Sequence, residues 1–270
     1  MTKVILITGS TDGIGFETAK MVVSQGHHVL IHGRSPAKLE RVVTELSQLA
    51  GAGTIESHAC DLSSLAEVSA FADLLTAKYG RLDVLINNAG VYKVPEITTS
   101  ENLDVRFVVN TIAPFLLTTR LLPLLDQTGR IINLSSAAQA PVNLNALVSD
   151  NAGSSDSAVY AQSKLALTMW SVDMAQKLGN QGPAVIAVNP ASFLGSKLVK
   201  EAYGVAGNDL QIGADILYRA ALADEFANAS GKYFDNDAGQ FRSPHADASN
   251  AAKNAALVAV LERTISPYSN

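Results

Sequence analysis

The sequence predicts a single α/β domain, a doubly wound and mostly parallel sheet of seven strands flanked by helices on both faces. Three observations predict it. Short apolar runs alternate with longer segments of helical period, the pattern of βαβ units whose sheet is covered on both sides. The first apolar run passes directly into a glycine-rich turn and then a helical segment. No linker rich in Pro, Gly or charge divides the 270 residues, and there is no internal repeat.

In chain order, the first strand is read over 3–8, where Val4 to Ile7 form an unbroken apolar run, and the first helix over 14–25 after the glycine turn. A second strand near 27–32 leads to a helix at 36–50, and a third near 54–59 to a helix at 64–79. The fourth strand, 82–87, ends in small and amide residues and precedes a long apolar helix over 100–126. After a fifth strand at 129–134 comes an irregular segment, 139–157, rich in Ser, Asn, Asp and Ala. A helix at 157–179, a sixth strand at 184–189, a second irregular segment at 192–208, a helix at 209–223, a strand at 232–235 and a helix at 246–265 complete the chain. Both irregular segments are candidate substrate loops, since long loops in compact domains usually serve function.

The bulk properties narrow the function. A hydrophobic content of 47%, a charged content of 17% and a net charge of -5 describe a core-rich chain with no electrostatic footprint for nucleic acid or an anionic membrane. The single cysteine, Cys60, allows no intrachain disulfide and reads as a small buried side chain. The N-terminus has no signal-like apolar region, and no membrane-spanning apolar run is read, so a cytoplasmic location is expected. The five histidines, His27, His28, His32, His58 and His245, lack metal spacing and are read as structural or solvated, with no metal site.

Between the first strand and helix lies Thr8-Gly9-Ser10-Thr11-Asp12-Gly13-Ile14-Gly15. Glycines there let the backbone turn sharply and approach a pyrophosphate, which the following helix N-terminus would bind. The first two glycines stand one residue further apart than in the dinucleotide fingerprint. The segment resembles the short-chain dehydrogenase/reductase family, whose nucleotide turn reads Thr-Gly-x-x-x-Gly-x-Gly and matches Thr8, Gly9, Gly13 and Gly15. The resemblance implies a Rossmann-type domain in which Gly9, Thr11, Asp12, Gly13, Ile14 and Gly15 bind the cofactor.

The second strand ends in Gly33-Arg34-Ser35 with no carboxylate. A carboxylate there would hold a ribose 2′-OH, whereas a guanidinium suits a 2′-phosphate. Arg34, with Lys38 one turn into the next helix, therefore points to NADP(H) rather than NAD(H). Asp61 and Leu62 close the third strand; by resemblance they lie at the adenine, although Asp61 could equally cap the next helix. Asn87-Asn88-Ala89-Gly90 ends the fourth strand at the sheet edge where open α/β folds bind ligands, and it matches a second family motif through Asn88, Ala89 and Gly90.

Tyr160 and Lys164 lie four apart on a predicted helix and share a face. An ammonium beside a phenol favours the phenolate, and a tyrosine so tuned serves as acid and base. The family signature Tyr-x-x-x-Lys matches them. By resemblance Ser136, at the end of the fifth strand, is the catalytic serine that bonds the substrate oxygen. Asn110, a polar residue in an apolar helix, is by resemblance the asparagine that kinks the helix and supports a proton relay.

Two departures bear on the substrate. Ser136 and Tyr160 are separated by about twice the family's usual interval, as in the branch with retinol dehydrogenases, protochlorophyllide reductases and carbonyl reductases. The family's Pro-Gly after the sixth strand is here Pro190-Ala191, with Pro190 expected at the nicotinamide. From Ile131 to Ser163 there is no Lys, Arg or His, which suggests a small neutral aldehyde, ketone or alcohol held by Val142, Leu144, Leu147 and Phe193. Trp170 and Met174 read as core, with a homodimer through the Tyr160 helix as their alternative role. The expected function is hydride transfer between nicotinamide and carbonyl; the alternative, a non-catalytic NADP-binding regulator, is disfavoured by the intact Asn110-Ser136-Tyr160-Lys164 set.

Overall fold

The computed structural model describes residues 1–151 and 153–269, with the backbone alone at 202 and 203. Ala152, inside the 139–157 segment, and Asn270 lie outside the described residues. β1 (Val4–Ile7) leads into α1 (Gly13–Ser24), β2 (His28–Gly33) into α2 (Pro36–Ser47), and β3 (Ile55–Ala59) into α3 (Leu65–Lys78). β4 (Val84–Asn87) is followed by a composite helix, α4 (Val105–Phe107), a π-turn (Val108–Ile112) and α5 (Ala113–Leu121). Then come β5 (Arg130–Leu134), α6 (Leu144–Leu147), α7 (Asp156–Leu178), β6 (Ala184–Asn189), α8 (Lys197–Tyr203), α9 (Leu210–Leu222), β7 (Tyr233–Asp235), β8 (Gln240–Arg242) and α10 (Ala251–Ile265).

The sheet has eight strands in the order β3-β2-β1-β4-β5-β6-β7-β8, parallel except for the last pair. The eighth strand corrects the predicted seven. It is three residues long, and its Gln240 and Arg242 are exposed, so it lacks an apolar run by which to read it. The reversal of strand order between β1 and β4 places a crevice at their carboxyl ends, the position at which such sheets bind ligands.

The central strands β1, β2, β4, β5 and β6 are largely apolar because both of their faces are covered. Alternate side chains point to opposite faces: Leu6, Leu30, Leu85, Ile131 and Val185 join α3, α5, α7 and α10 in one apolar cluster, while Ile5, Ile7, Ile31, Ile86, Ile132 and Ile186 join α1, α2 and α9 in another. The predicted 100–126 helix begins later, at Asp104, whose carboxylate accepts the Arg106 N–H and caps it. Val105–Leu124 is long and apolar enough to cross a membrane by composition, but 72% of its most apolar window is buried inside the fold, so that apolarity is spent on the core.

None of the described residues in 139–157 lines the crevice at the strands' carboxyl ends. Leu147 is fully buried in the core cluster, and Val142 and Leu144 pack against the same cluster. Arg106, also fully buried, anchors the segment's far end: its guanidinium donates to Asp104 Oδ1 and Oδ2, to Asp156 Oδ1 at 2.7 Å and to the Asn151 carbonyl.

Candidate active site

The glycine turn and the Asn87-Asn88-Ala89-Gly90 turn form one packed unit. A Cβ on Gly15 would stand 2.4 Å from Asn88 Nδ2, and one on Gly9, whose φ is +64°, 2.9 Å from Ala89 Cα. Side chains are excluded at both positions. Asn88 Nδ2 donates to the carbonyls of Thr8 (2.8 Å) and Gly9 (3.1 Å), and Thr8 Oγ1 accepts the N–H groups of Asn88 and Ala89. Asp12 caps α1 through the Gly13 N–H. The α1 N-terminus thus opens onto a backbone cradle with no side chain in the way, which fits a pyrophosphate.

His32 belongs to this unit, although the sequence offered no reason to assign it a role. Its Nδ1 accepts the Gly9 N–H at 3.1 Å, which leaves Nε2 to donate to the Cys60 carbonyl at 3.1 Å. Burial pushes its pKa down to about 4, so the ring remains the neutral acceptor that Gly9 needs. Burial likewise pushes the Cys60 thiol up to about 12, so it is inert.

Arg34 and Lys38 are exposed and line the outer end of the cavity that runs over this turn. Asp61 and Leu62 line the same end. The carboxylate of Asp61 accepts the N–H and hydroxyl of Ser63, and the cap of α3 is Ser64, so Asp61 is not the helix cap.

At the inner end β5 delivers two serines with opposite fates. Ser135 is buried against Thr168 Oγ1 (2.7 Å), while Ser136 faces the cavity, its carbonyl accepting from Gln139 Nε2 and the Tyr233 hydroxyl. Tyr160 and Lys164 reach the cavity from one face of α7, with Lys164 Nζ 5.7 Å from the centre of the Tyr160 ring. The ring of Tyr92, from the segment after β4, lies 5.2 Å from that of Tyr160. Lys164 is 3% exposed and donates to the Leu134 carbonyl at 2.6 Å; burial pushes its pKa down to about 8.

Asn110 is the middle residue of the π-turn, the kind of helix irregularity that recurs at functional sites. Its Oδ1 accepts the Val91 N–H (2.8 Å), and its Nδ2 donates to the Val91 carbonyl and to Ser163 Oγ. It therefore joins the kink to α7 and to the segment after β4. A Cβ on Gly90 would stand 3.4 Å from Asn110 Oδ1 and 3.5 Å from Lys164 Nζ, so both groups close on the same face of that glycine.

The whole cavity measures about 800 Å³. Pro190 lines it, followed by Ala191 at φ +119°, a conformation that suits glycine. Its outer walls come from Val91–Glu96, Thr98–Ser100 and the stretch between Ser192 and Glu201, including Phe193, Leu194 and Leu198. Of the four apolar residues expected at the substrate, Phe193 alone lines it. Val142, Leu144 and Leu147 face the core, a correction with a simple cause: apolar residues in a loop do not reveal which surface they cover. Among the described residues no His, Cys, Asp and Glu group is placed to hold a metal.

Residues 3–203 match the family model for short chain dehydrogenase. The chain is 33% identical to a human polyprenol dehydrogenase over 255 residues, covering 87% of this chain and 77% of that one. It is 29% identical to human retinol dehydrogenase 13, covering 93% and 81%. Among solved structures, an uncharacterized protein of Mycobacterium paratuberculosis superposes with a TM-score of 0.79 at 27% identity, over 97% of this chain and 92% of that one. A metagenomic short-chain oxidoreductase in complex with NADP gives 0.60 at 31% identity, over 80% and 89%.

Proposed function

Because the chain belongs to the short-chain dehydrogenase family and is an oxidoreductase of it, we propose that it transfers hydride between NADP(H) and a neutral, apolar aldehyde, ketone or alcohol. The carrying observation is that one cavity joins the glycine cradle, Arg34 and Lys38 at one end to Ser136, Tyr160 and Lys164 at the other. When bound, the nicotinamide would supply or accept the hydride.

The residues of the chain divide the remaining work. Tyr160 gives its phenolic proton to the carbonyl oxygen during reduction and takes one from the alcohol during oxidation. Ser136 donates to the same oxygen. The Lys164 ammonium, held at the Leu134 carbonyl, favours the phenolate electrostatically. Asn110 keeps the π-turn, Val91 and α7 in register around them. Arg34 and Lys38 supply the positive charge for a 2′-phosphate, in keeping with the NADP bound to the 31%-identical solved structure.

A neutral substrate follows from the walls. Val91, Val94, Val105, Val109, Leu194 and Leu198 line the cavity. On the substrate side of the cavity Lys93 is exposed and Lys197 pairs with Glu201, so neither offers a fixed charge to a carboxylate or phosphate. The polyprenol and retinol dehydrogenase relatives are named for apolar primary alcohols.

A panel following NADPH consumption tests this reading. Apolar aldehydes are expected to turn over, with a lower KM for NADPH than for NADH, and Arg34→Ala should narrow that preference about tenfold or more. Tyr160→Phe should keep NADPH binding and lose reductase activity by roughly 10²–10⁴. Turnover confined to carboxylated or phosphorylated carbonyls, or full activity of the phenylalanine variant, would overturn it.

A further inference from the structure

The turn after β6 is held from outside by the β7–β8 hairpin, residue by residue. Asn189 Nδ2 donates to Asp235 Oδ1 and Asp237 Oδ2, both at 2.9 Å, and the Asn189 carbonyl accepts the Asn236 N–H. The Pro190 carbonyl accepts from Asn236 Nδ2 at 2.9 Å. Ser192 donates twice to Asp237, from its N–H at 2.7 Å and from its hydroxyl at 2.6 Å. Between these anchors lies Ala191 at φ +119°, with Phe193 at φ +54° just beyond.

L-residues avoid such angles, and they persist where the surroundings over-determine them. Phe193 is held by the Asn208 N–H at its carbonyl. Around Ala191 the surroundings are chiefly the carboxylates and amide of the hairpin turn, which bind both flanking residues, with Asn208 Nδ2 also donating to the Ser192 carbonyl at 3.3 Å. The segment also belongs to the reacting end of the cavity. β6 pairs with β5 up to Val188 beside Leu134, so residues 190–192 leave the sheet next to Ser136, and all three line the cavity.

We propose that Asp237 is a positioning residue for the nicotinamide end of the cofactor: by fixing Ser192 it keeps Ala191 in a backbone conformation that alanine resists, and so holds the Pro190-Ala191 peptide against the cavity. The inference rests on the nicotinamide reading of the cavity. Asp237 touches neither cofactor nor substrate in this role; it acts through Ser192. Glycine at 191 would adopt the same conformation without the clamp, so the need for Asp237 is tied to the alanine.

The experiment compares wild type, Asp237→Ala, Ala191→Gly and the double variant, with melting temperatures as a check on folding. In Asp237→Ala, affinity for NADPH and kcat are expected to fall about tenfold. Affinity for adenosine 2′,5′-bisphosphate, which lacks the nicotinamide end, should stay within about twofold. Adding Ala191→Gly should recover most of the loss. Equal weakening of both ligands, unchanged NADPH affinity and kcat, or a loss that Ala191→Gly does not relieve would each overturn the proposal. A wild-type protein that fails to bind NADPH would overturn the functional reading and this inference with it, whereas an active wild type with an indifferent Asp237→Ala removes only the inference.

Discussion

Lys164 enters the fold as a buried cation with the Leu134 carbonyl as its hydrogen-bond acceptor, and that has a consequence for stability as well as for chemistry. In the unfolded chain its ammonium would titrate near 10.5, but burial in the fold pushes it down to about 8. The fold therefore disfavours the charged form. The cost is fully present below about pH 8 and disappears as the pH rises toward 10.5, a swing on the order of 3 kcal/mol. Lys164→Met removes this dependence. Its unfolding free energy relative to wild type, followed by denaturant titration from pH 6 to 10, is expected to be most favourable at the acid end and to decline above pH 8; a difference that is flat or rises with pH would contradict the burial argument. Tyr160 and Lys164 were legible in the sequence because their spacing is a motif. His32, Tyr92 and Asp237 were not, because each meets its neighbour at the site, Gly9, Tyr160 or Ser192, only across a long stretch of chain.

The insertion between β5 and α7 shows what an element owes to a single buried ion cluster. Arg106 and Asp104 are both fully buried, and Arg106 also binds Asp156 at the start of α7. Arg106→Ala leaves Asp104 as an unpaired buried carboxylate, so unfolding in urea should show a loss of about 3–5 kcal/mol. Asp104→Asn combined with Arg106→Met should lose less, since no charge then remains buried without a partner. A loss below about 1 kcal/mol in the single variant would mean that the cluster is solvated. The parallel strands and long helices could be read from the sequence because burial on both faces leaves apolar runs and periodic stripes. β8 is too short and polar to leave either signature. The π-turn showed only as an asparagine in an apolar helix, and the insertion's apolar residues gave no sign that they pack on the core rather than over the cavity.

At the scale of the whole molecule, the strand reversal between β1 and β4 concentrates the chemistry at one sheet edge and leaves the opposite surfaces to packing. The Tyr160 helix, α7, carries the catalytic pair near its N-terminal end and Trp170 and Met174 further along, the residues that suggested a dimer surface. In the fold Trp170 is fully buried, with its ring 5.6 Å from that of Phe115, and Met174 is buried as well. Leu257, Val258, Leu261 and Ile265 of α10 join the same apolar cluster, so the C-terminal helix of the chain covers the α7 surface that a partner would use. A subunit that dimerised through α7 would have to displace α10 and expose those four apolar side chains, at roughly 1.5–3 kcal/mol for each Leu, Val or Ile returned to water. The expected particle is therefore a monomer of 28.4 kDa by light scattering at micromolar concentration. Replacing Leu257 and Leu261 by Asp should uncover the face and drive association or aggregation. A wild-type dimer whose hydrogen exchange protects α7 only when assembled would show that α10 yields its place.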